Sequence, residues 1–269
     1  MREQYELAVE VQTILCERLH VLIVDDDIEL TEALADVLEL SAVTVSVANS
    51  GEQALDLLQR QRFDCVLIDI MMPGLSGVET LKRARELSPG SVIILMTAYS
   101  VDELIDEAKR EGALAVLKKP IDVDSFTRFL HQFKARSSVL IVGDDAAFCQ
   151  TMRNELAPRG YRTFIAKDIA QALTTVSLNQ YEIVLMSQGR KNQEGIEALI
   201  AIRELNPKVT FVLLSGNGDV RHMMRGGIEL ESFIALTKPF NVDAIVVLLE
   251  QLRFRKLQQT LKEHHIEEN

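Results

Sequence analysis

Polar side chains follow several short apolar runs in the first half of this 269-residue chain. They stand where the runs VLIV, CVLI, VIILM and AVL end or soon after: Asp25, Asp26, Asp69, Thr97 and Lys119. Carboxylates that lie close together do not all stay ionised without a compensating cation, and their hard oxygens suit Mg²⁺. A divalent cation and an ammonium group together neutralise the oxygens of a phosphoryl group while a carboxylate attacks phosphorus. The set therefore predicts phosphoryl transfer, with Asp69 as the nucleophile.

These side chains meet only if the apolar runs are neighbouring strands of one sheet. The sequence predicts strands at 21–24, 43–47, 63–68, 92–96 and 113–117, and helices at 28–40, 77–87, 101–111 and 123–134, with one more helix after NSGE. Strands that alternate with amphipathic helices predict a parallel sheet covered on both faces. In such doubly wound sheets, ligands bind outside the carboxyl ends of the strands. The polar side chains are expected at those ends.

The same pattern occurs twice along the chain. HVLIVDDD (20–27) returns as SVLIVGDD (138–145), and LKKP (117–120) returns as LTKP (236–239). A repeat of this length predicts two whole domains rather than a solenoid. We expect domains at 20–136 and 137–250, an amphipathic helix at 1–19, and an extension of the last helix with a tail at 251–269.

Composition narrows the class of protein. The chain is 47% hydrophobic and 26% charged, as globular domains are, and its formal net charge of −11 disfavours nucleic-acid binding. No apolar run approaches the length of a membrane span, so no membrane partner is expected. The three widely spaced cysteines indicate reduced thiols and a cytoplasmic location.

The motifs of the first repeat resemble the receiver domain of two-component response regulators. The acidic pair after strand one, the D-x-x-M-P run at 69–73, Thr97 and the pair Lys119-Pro120 occur in the order of that family. The resemblance covers residues 20–135 closely and 138–250 more loosely. It implies an α/β protein of two doubly wound (βα)5, flavodoxin-like receiver domains in tandem, each with a parallel five-stranded sheet.

The resemblance also implies a phosphoacceptor and a metal site. Asp69 would accept a phosphoryl group from a phosphohistidine of a sensor histidine kinase or phosphotransfer protein. Mg²⁺ would be held by Asp25, Asp26, Asp69 and the backbone carbonyl of Met71. Met71 and Tyr99 flank the site and are bulky, so we expect slow hydrolysis of phospho-Asp69.

Two further residues complete the implied machinery. Lys119 would pair with the phosphoryl oxygens, and the family usually makes the following Lys-Pro peptide bond cis. Thr97 would move to hydrogen-bond the phosphoryl group, and the fourth strand and helix would shift with it. The family usually has Tyr or Phe three residues before this lysine, whereas this chain has Val116. The aromatic part of the signal is therefore in doubt.

Simpler readings of the same residues stay open. The acidic residues 25–27 would cap the first helix, as Asp27 is expected to do in any case. Thr97 would be an ordinary strand-end residue, and Lys119 would be a surface charge.

The second repeat keeps most of the polar set but loses the nucleophile. Ser187 stands where the first repeat has Asp69, and Gly143 replaces one acid, while the retained residues are Asp144, Asp145, Ser215 and Lys238. A serine hydroxyl carries no negative charge, so this copy is predicted to be a pseudo-receiver that acts as a binding surface. The alternative makes Ser187 a nucleophile or a phosphorylatable serine, but no histidine falls near a strand end to activate it.

We therefore predict a phosphorelay response regulator that catalyses only its own phosphorylation and dephosphorylation and is otherwise no enzyme. Its output would be an interaction with a downstream protein that the sequence does not name. The helices at 1–19 and 251–269 leave a homodimer open. One alternative is a phosphatase of the haloacid dehalogenase type, although that family has a second Asp two residues after its nucleophile, where Met71 stands here. The other is a scaffold that is never phosphorylated.

Overall fold

The computed structural model describes residues 18–98, 102–135, 137–179, 181–187, 192–215, 233–237 and 241–263. These residues divide into two compact units. The first unit holds residues 18–134 together with 252–263, and the second unit holds residues 135–251. The helix predicted at 1–19 lies outside the described residues except for its last two positions. None of the described helices combines the length and apolar character that crossing a bilayer requires.

The first unit is built on a parallel sheet of five strands in the order β2-β1-β3-β4-β5. The strands are β1 (Leu19–Val24), β2 (Val43–Ala48), β3 (Cys65–Asp69), β4 (Val92–Thr97) and β5 (Ala115–Lys118). Its helices are α1 (Ile28–Glu39), α2 (Gly51–Arg60), α3 (Gly77–Leu87), α4 (Asp102–Arg110) and α5 (Val123–Ala135). The strand order reverses beside β1, which confirms the doubly wound fold predicted from the sequence.

The third and fifth strands each begin two residues later than predicted, and the reason is visible at the fifth strand. It begins at Ala115 rather than at Ala113. The backbone amide of Ala113 instead donates to the carbonyl of Ala108, 2.9 Å away, and so closes the end of α4. An apolar run alone does not distinguish the last turn after a helix from the first residues of a strand.

Each face of this sheet carries its own apolar core. Val21, Ile23 and Leu67 point to one face and pack with residues of α1 and α5. Leu22 and Val66, one position away on the same strands, pack on the other face with residues of α2, α3 and α4. Side chains of a strand alternate between faces, so strands covered on both sides read as continuous apolar runs.

The second unit repeats this architecture with the strand order β10-β9-β8-β6-β7, all parallel. The strands are β6 (Ser138–Val142), β7 (Arg162–Ala166), β8 (Ile183–Ser187), β9 (Thr210–Ser215) and β10 (Phe233–Thr237). The described helices are α6 (Ala146–Leu156), α7 (Ile169–Leu178), α8 (Asn192–Leu205) and α9 (Val242–Glu263), with a 3-10 turn at Ala157–Arg159. The two sheets confirm the predicted tandem of (βα)5 folds.

The turn after β3 lies very close to the end of that strand. Ser76 caps α3 by accepting a hydrogen bond from the amide of Glu79. The amide of Gly77 donates to the carbonyl of Ile70, 3.0 Å away. A Cβ atom at position 77 would clash with the carbonyl oxygen of Asp69 and would lie 2.7 Å from Cα of Ile70. Gly77 is therefore required by the close approach of two backbone segments.

Replacing Gly77 with alanine is expected to destabilise the first unit by about 2 kcal/mol or more, because both obstructing groups are backbone atoms that cannot rotate away. Urea unfolding followed by circular dichroism measures the effect. Gly143→Ala is the control, since a Cβ there meets no atom closer than 3.4 Å. We expect the control to change stability by less than about 1 kcal/mol. Equal effects of the two substitutions would contradict the steric argument.

Candidate functional site

Three carboxylates meet at the carboxyl ends of β1 and β3. Asp25 and Asp26 follow β1, and Asp69 is the last residue of β3. Val24 pairs with Ile68 in the parallel ladder, so the residues that follow the pair emerge side by side. One carboxylate oxygen from each of the three residues lies within 4.8 Å of the others. The structure thus brings together the acidic group that the sequence predicts.

Lys119 reaches two of these carboxylates from the residue after β5. Its Nζ lies 2.6 Å from Oδ2 of Asp25 and 3.1 Å from Oδ1 of Asp69. The backbone amide of Lys119 donates to the carbonyl of Thr97, 2.8 Å away, which anchors the lysine to the end of β4. The peptide bond between Lys119 and Pro120 is cis, as the family resemblance implies. Lys119 is therefore a member of the site and not a surface charge.

The site has an excess of negative charge in a poorly hydrated place. Among the described side chains in contact here, three carboxylates stand against one ammonium group. The side chains of Asp25 and Asp69 are only 1% and 8% exposed. A buried carboxylate in such company is stable when a cation compensates it, and a set of hard oxygens fits Mg²⁺. The donor set thus fits the predicted metal.

The pKa values of Asp69 and Lys119 are shifted by burial and by the charges of their neighbours. Burial raises the pKa of Asp69; Lys119 opposes this rise, while the charges of Asp25 and Asp26 add to it. Burial alone would lower the pKa of Lys119, but its hydrogen bond to Asp25 and its interaction with Asp69 outweigh burial and raise that pKa. Lys119 therefore stays positively charged at neutral pH.

The acidic residues of 25–27 have separate roles. Asp27 is the N-cap of α1, and its Oδ1 accepts a hydrogen bond from the amide of Leu30 at 3.1 Å. Asp25 accepts a hydrogen bond from the amide of Asp27 at 3.1 Å while its other oxygen faces Lys119. The simpler reading of these acids as helix caps therefore holds for Asp27, whereas Asp25 belongs to the charged cluster.

The remaining predicted residues of the first site are placed as follows. Thr97 is the last residue of β4, is 4% exposed, and lies opposite Lys118 in the ladder with β5. Met71 is 54% exposed beside the strand end that carries Asp69. Val116 is buried in the core with Ala108 and other apolar residues of the α2–α4 face. Tyr99 lies outside the described residues.

The second unit keeps the scaffold of this site without its charges. The amide of Gly143 donates to the carbonyl of Ala166 at 3.1 Å, as the amide of Asp25 does to Ala48. Gly143 therefore occupies the place of Asp25 without offering a carboxylate. Ser187 ends β8, partly buried, and a Cβ added to Gly143 would lie 3.4 Å from its Cβ. Two of the three positions that carry a carboxylate in the first unit are therefore uncharged in the second unit.

The other residues predicted for the second site lie in different surroundings. Asp145 is the N-cap of α6 and accepts a hydrogen bond from the amide of Phe148 at 3.0 Å, like Asp27 in the first unit. Asp144 is exposed. Ser215 is the last residue of β9. Lys238 lies outside the described residues.

One contributor to the site was absent from the sequence prediction. Gly77 allows α3 to start against the carbonyl of Asp69, and so fixes the turn that follows the phosphoacceptor candidate. The available signal was a glycine at the first position of a helix, directly after the capping Ser76. A helix start by itself does not reveal which backbone lies opposite, so the sequence did not show the need for glycine.

Asp69→Asn is expected to stabilise the first unit by about 1 kcal/mol at neutral pH without divalent cations, since it removes an unfavourably buried charge. Because the folded-state pKa of Asp69 is raised, its ionisation costs stability above that pKa and costs nothing below the ordinary carboxyl range. The gain should therefore vanish as the pH falls to about 4. Urea unfolding at several pH values measures it, with Asp56→Asn, an exposed carboxylate outside the cluster, as the control. A less stable Asp69→Asn protein at neutral pH would contradict this.

Comparisons with known proteins agree with the geometry. The family model "Response regulator receiver domain" matches residues 21–131 and 139–250. A response regulator receiver protein of Anaeromyxobacter sp. strain Fw109-5 is 28% identical over 242 residues, covering 90% of this chain and 98% of the relative.

Two other relatives match a single receiver domain's length. Sporulation initiation phosphotransferase F of Bacillus subtilis strain 168 is 38% identical over 104 residues, which are 39% of this chain and 84% of that protein. The transcriptional regulatory protein ZraR of Escherichia coli strain K12 is 39% identical over 121 residues, which are 45% of this chain but 27% of that protein. With both sheets and both matches in place, the chain belongs to the response regulator receiver family of two-component systems and carries two receiver domains in tandem.

Proposed function

We propose that Asp69 accepts a phosphoryl group from the phosphohistidine of a sensor histidine kinase or phosphotransfer protein, with Mg²⁺ bound at the acidic cluster. The observation that carries this proposal is the buried Asp69 carboxylate held 3.1 Å from Lys119 and within 4.8 Å of Asp25 and Asp26. Asp25, Asp26, Asp69 and the backbone carbonyl of Met71 would hold the ion. When bound, Mg²⁺ supplies positive charge that offsets the charge of the incoming phosphoryl oxygens.

Each side chain then has a separate role in the transfer of the phosphoryl group. A carboxylate oxygen of Asp69 attacks phosphorus; a P–O bond forms, the P–N bond breaks, and its electron pair remains on the imidazole of the donor. Lys119 holds a phosphoryl oxygen as the ammonium that already contacts Asp69. Thr97, at the end of β4, donates a hydrogen bond from its hydroxyl group to another phosphoryl oxygen. Burial of the cluster limits the water that competes with these contacts.

The second receiver domain is proposed to be silent in this chemistry and to work as a binding surface. Its supporting observation is the pair Gly143 and Ser187, which leaves no carboxylate at the two positions that are most buried in the first site. A hydroxyl in place of Asp69 neither attracts a divalent cation nor forms an acyl phosphate.

The output is proposed to be an interaction with a downstream protein that depends on phosphorylation of Asp69, and no nucleic acid is a proposed partner. The formal net charge of −11 supports this. One relative is named a phosphotransferase of sporulation initiation, which supports a place in a phosphorelay. Cys65 and Cys149, both buried and free, agree with action in the reducing cytoplasm.

The direct test is incubation of the full chain with acetyl phosphate and Mg²⁺. We expect one phosphoryl group per chain, detected by intact mass and located at Asp69 by peptide mapping after borohydride reduction. Asp69→Asn should abolish the label because no nucleophile remains, whereas Ser187→Ala should leave it unchanged. Chelation of Mg²⁺ should reduce the labelling rate by about 100-fold, since several kcal/mol of charge stabilisation is lost.

Three other outcomes would count against the proposal. No label on the wild-type chain would favour a scaffold that is never phosphorylated. A label on Ser187 would overturn the silent second domain. Continuous turnover of a generic phosphate ester, lost in Asp69→Asn, would favour an aspartyl phosphatase.

Met71→Asn is expected to accelerate hydrolysis of phospho-Asp69 by about tenfold, because a thioether side chain beside the site obstructs the attacking water and a polar amide orients it. Met71 is 54% exposed next to the strand end, so the substitution does not disturb the core. Loss of the labelled mass with time measures the rate. Met72→Leu, a substitution of a buried neighbour, is the control. An unchanged or slower rate in Met71→Asn would contradict the prediction.

A further inference from the structure

The last helix, α9, buries a stripe of residues that are spaced by four. The stripe consists of Ile245, Leu249, Arg253, Leu257 and Leu261. A step of four residues in an α-helix advances about 40° beyond a full turn. From Ile245 to Leu261 the buried direction therefore rotates by about 160°. Such a helix has no single apolar face, and its two ends pack in different surroundings.

The beginning of α9 is part of the second unit. Ile245 and Leu249 are both 0% exposed. Nε of Arg159, in the turn after α6, lies 3.4 Å from a carboxylate oxygen of Glu250. Up to this point α9 serves as the last helix of its own receiver domain, and the family match also stops at residue 250.

The end of α9 is part of the first unit. Leu257 and Leu261, each 1% exposed, lie in the core formed by β1, β3 and β4 with α1 and α5. Phe254 packs against the same core. The sequence left a homodimer through this extension open. The structure buries Leu257 and Leu261 of the extension within the chain.

Arg253, near the start of this segment, makes two contacts with earlier residues of the first unit. Its guanidinium carbon lies 5.2 Å from the ring centroid of Phe133, close to the end of α5. Its Nη2 donates to the carbonyl of Gly90, 3.5 Å away, in the turn before β4. The side chain is only 8% exposed, so both contacts are made with little competition from water.

We propose that residues 252–263 are a cap built into the phosphorylatable domain and fold cooperatively with it. The surface it covers, on the α1 and α5 side of the sheet, is an apolar docking surface for an amphipathic helix, and this chain supplies the helix itself. The phosphorylatable domain is therefore discontinuous in sequence. A chain ending where the family match ends would lack part of the first domain's core.

The cap is linked to the acidic site through the folded state that both require. Strands β1 and β3, whose residues belong to the same apolar core as Leu257 and Leu261, carry Asp25 and Asp69 at their carboxyl ends. A ligand that binds the native site stabilises every part that unfolds with it. This link, unlike the packing itself, rests on the proposed function of Asp69.

Hydrogen exchange of the full chain, read by mass spectrometry, tests the cap. Leu261→Ala should accelerate exchange in residues 252–263 and also in α5, and should lower the melting temperature of the first unit by about 10 °C. Exchange in β6 and β8 should not change. Arg255→Ala, on the exposed side of the same segment, is the matched control and should alter neither. Faster exchange confined to residues 252–263 would overturn the cap, because it would show an independent arm.

A second measurement adds beryllofluoride and Mg²⁺ to the wild-type chain. We expect exchange in both α5 and residues 252–263 to slow by about tenfold or more, since opening of the cooperative unit must then release the ligand. Slower exchange around β3 with residues 252–263 unchanged would overturn the cap and leave the proposed function intact. No change anywhere would count against the proposed function, while the outcome with Leu261→Ala would still decide the cap.

Discussion

An excess of negative charge in the acidic cluster of Asp25, Asp26 and Asp69 is the constraint on which the first receiver domain depends. Asp25 and Asp69 are almost fully buried, Asp26 adds a third carboxylate, and Lys119 is the cation that contacts two of them. Burial makes this arrangement unfavourable unless more positive charge arrives. If Asp69 accepts a phosphoryl group as proposed, the divalent cation bound with it would supply the missing positive charge. In that case the carboxylates that act in phosphoryl transfer lower the stability of the unliganded domain.

The second receiver domain shows what happens when this constraint is relaxed. Its parallel sheet, strand order and helix cap at Asp145 reproduce the first domain. In the second domain, Gly143 and Ser187 stand in place of the two buried carboxylates, so these positions carry no unfavourable buried charge. Because the scaffold does not need the charges in order to fold, a domain can lose the chemistry and keep the architecture.

The boundaries of the two domains differ between the family match and the three-dimensional structure. The family match separates them cleanly, at 21–131 and 139–250. The core of the first domain nevertheless includes Leu257 and Leu261, which follow the second domain in sequence. Apolar burial depends on area removed from water and not on order along the chain, so a distant segment can complete a core. The predicted domain ends at 136 and 250 stay predictions.

Much of the fold and the site was readable from the sequence, for a local reason. Strands buried on both faces are apolar runs, and the residue that ends such a run must emerge at the carboxyl edge of the sheet. Asp25, Asp69 and Lys119 could therefore be placed in one site before any coordinates. Only the tertiary structure decided that Lys119 contacts Asp25 more closely than Asp69, that Gly77 faces the carbonyl of Asp69, and that the end of α9 completes the first core. The contacts of Lys119 and of α9 join segments far apart in sequence, and the contact of Gly77 depends on the path of the turn after β3. The local pattern of a chain does not specify which surfaces meet.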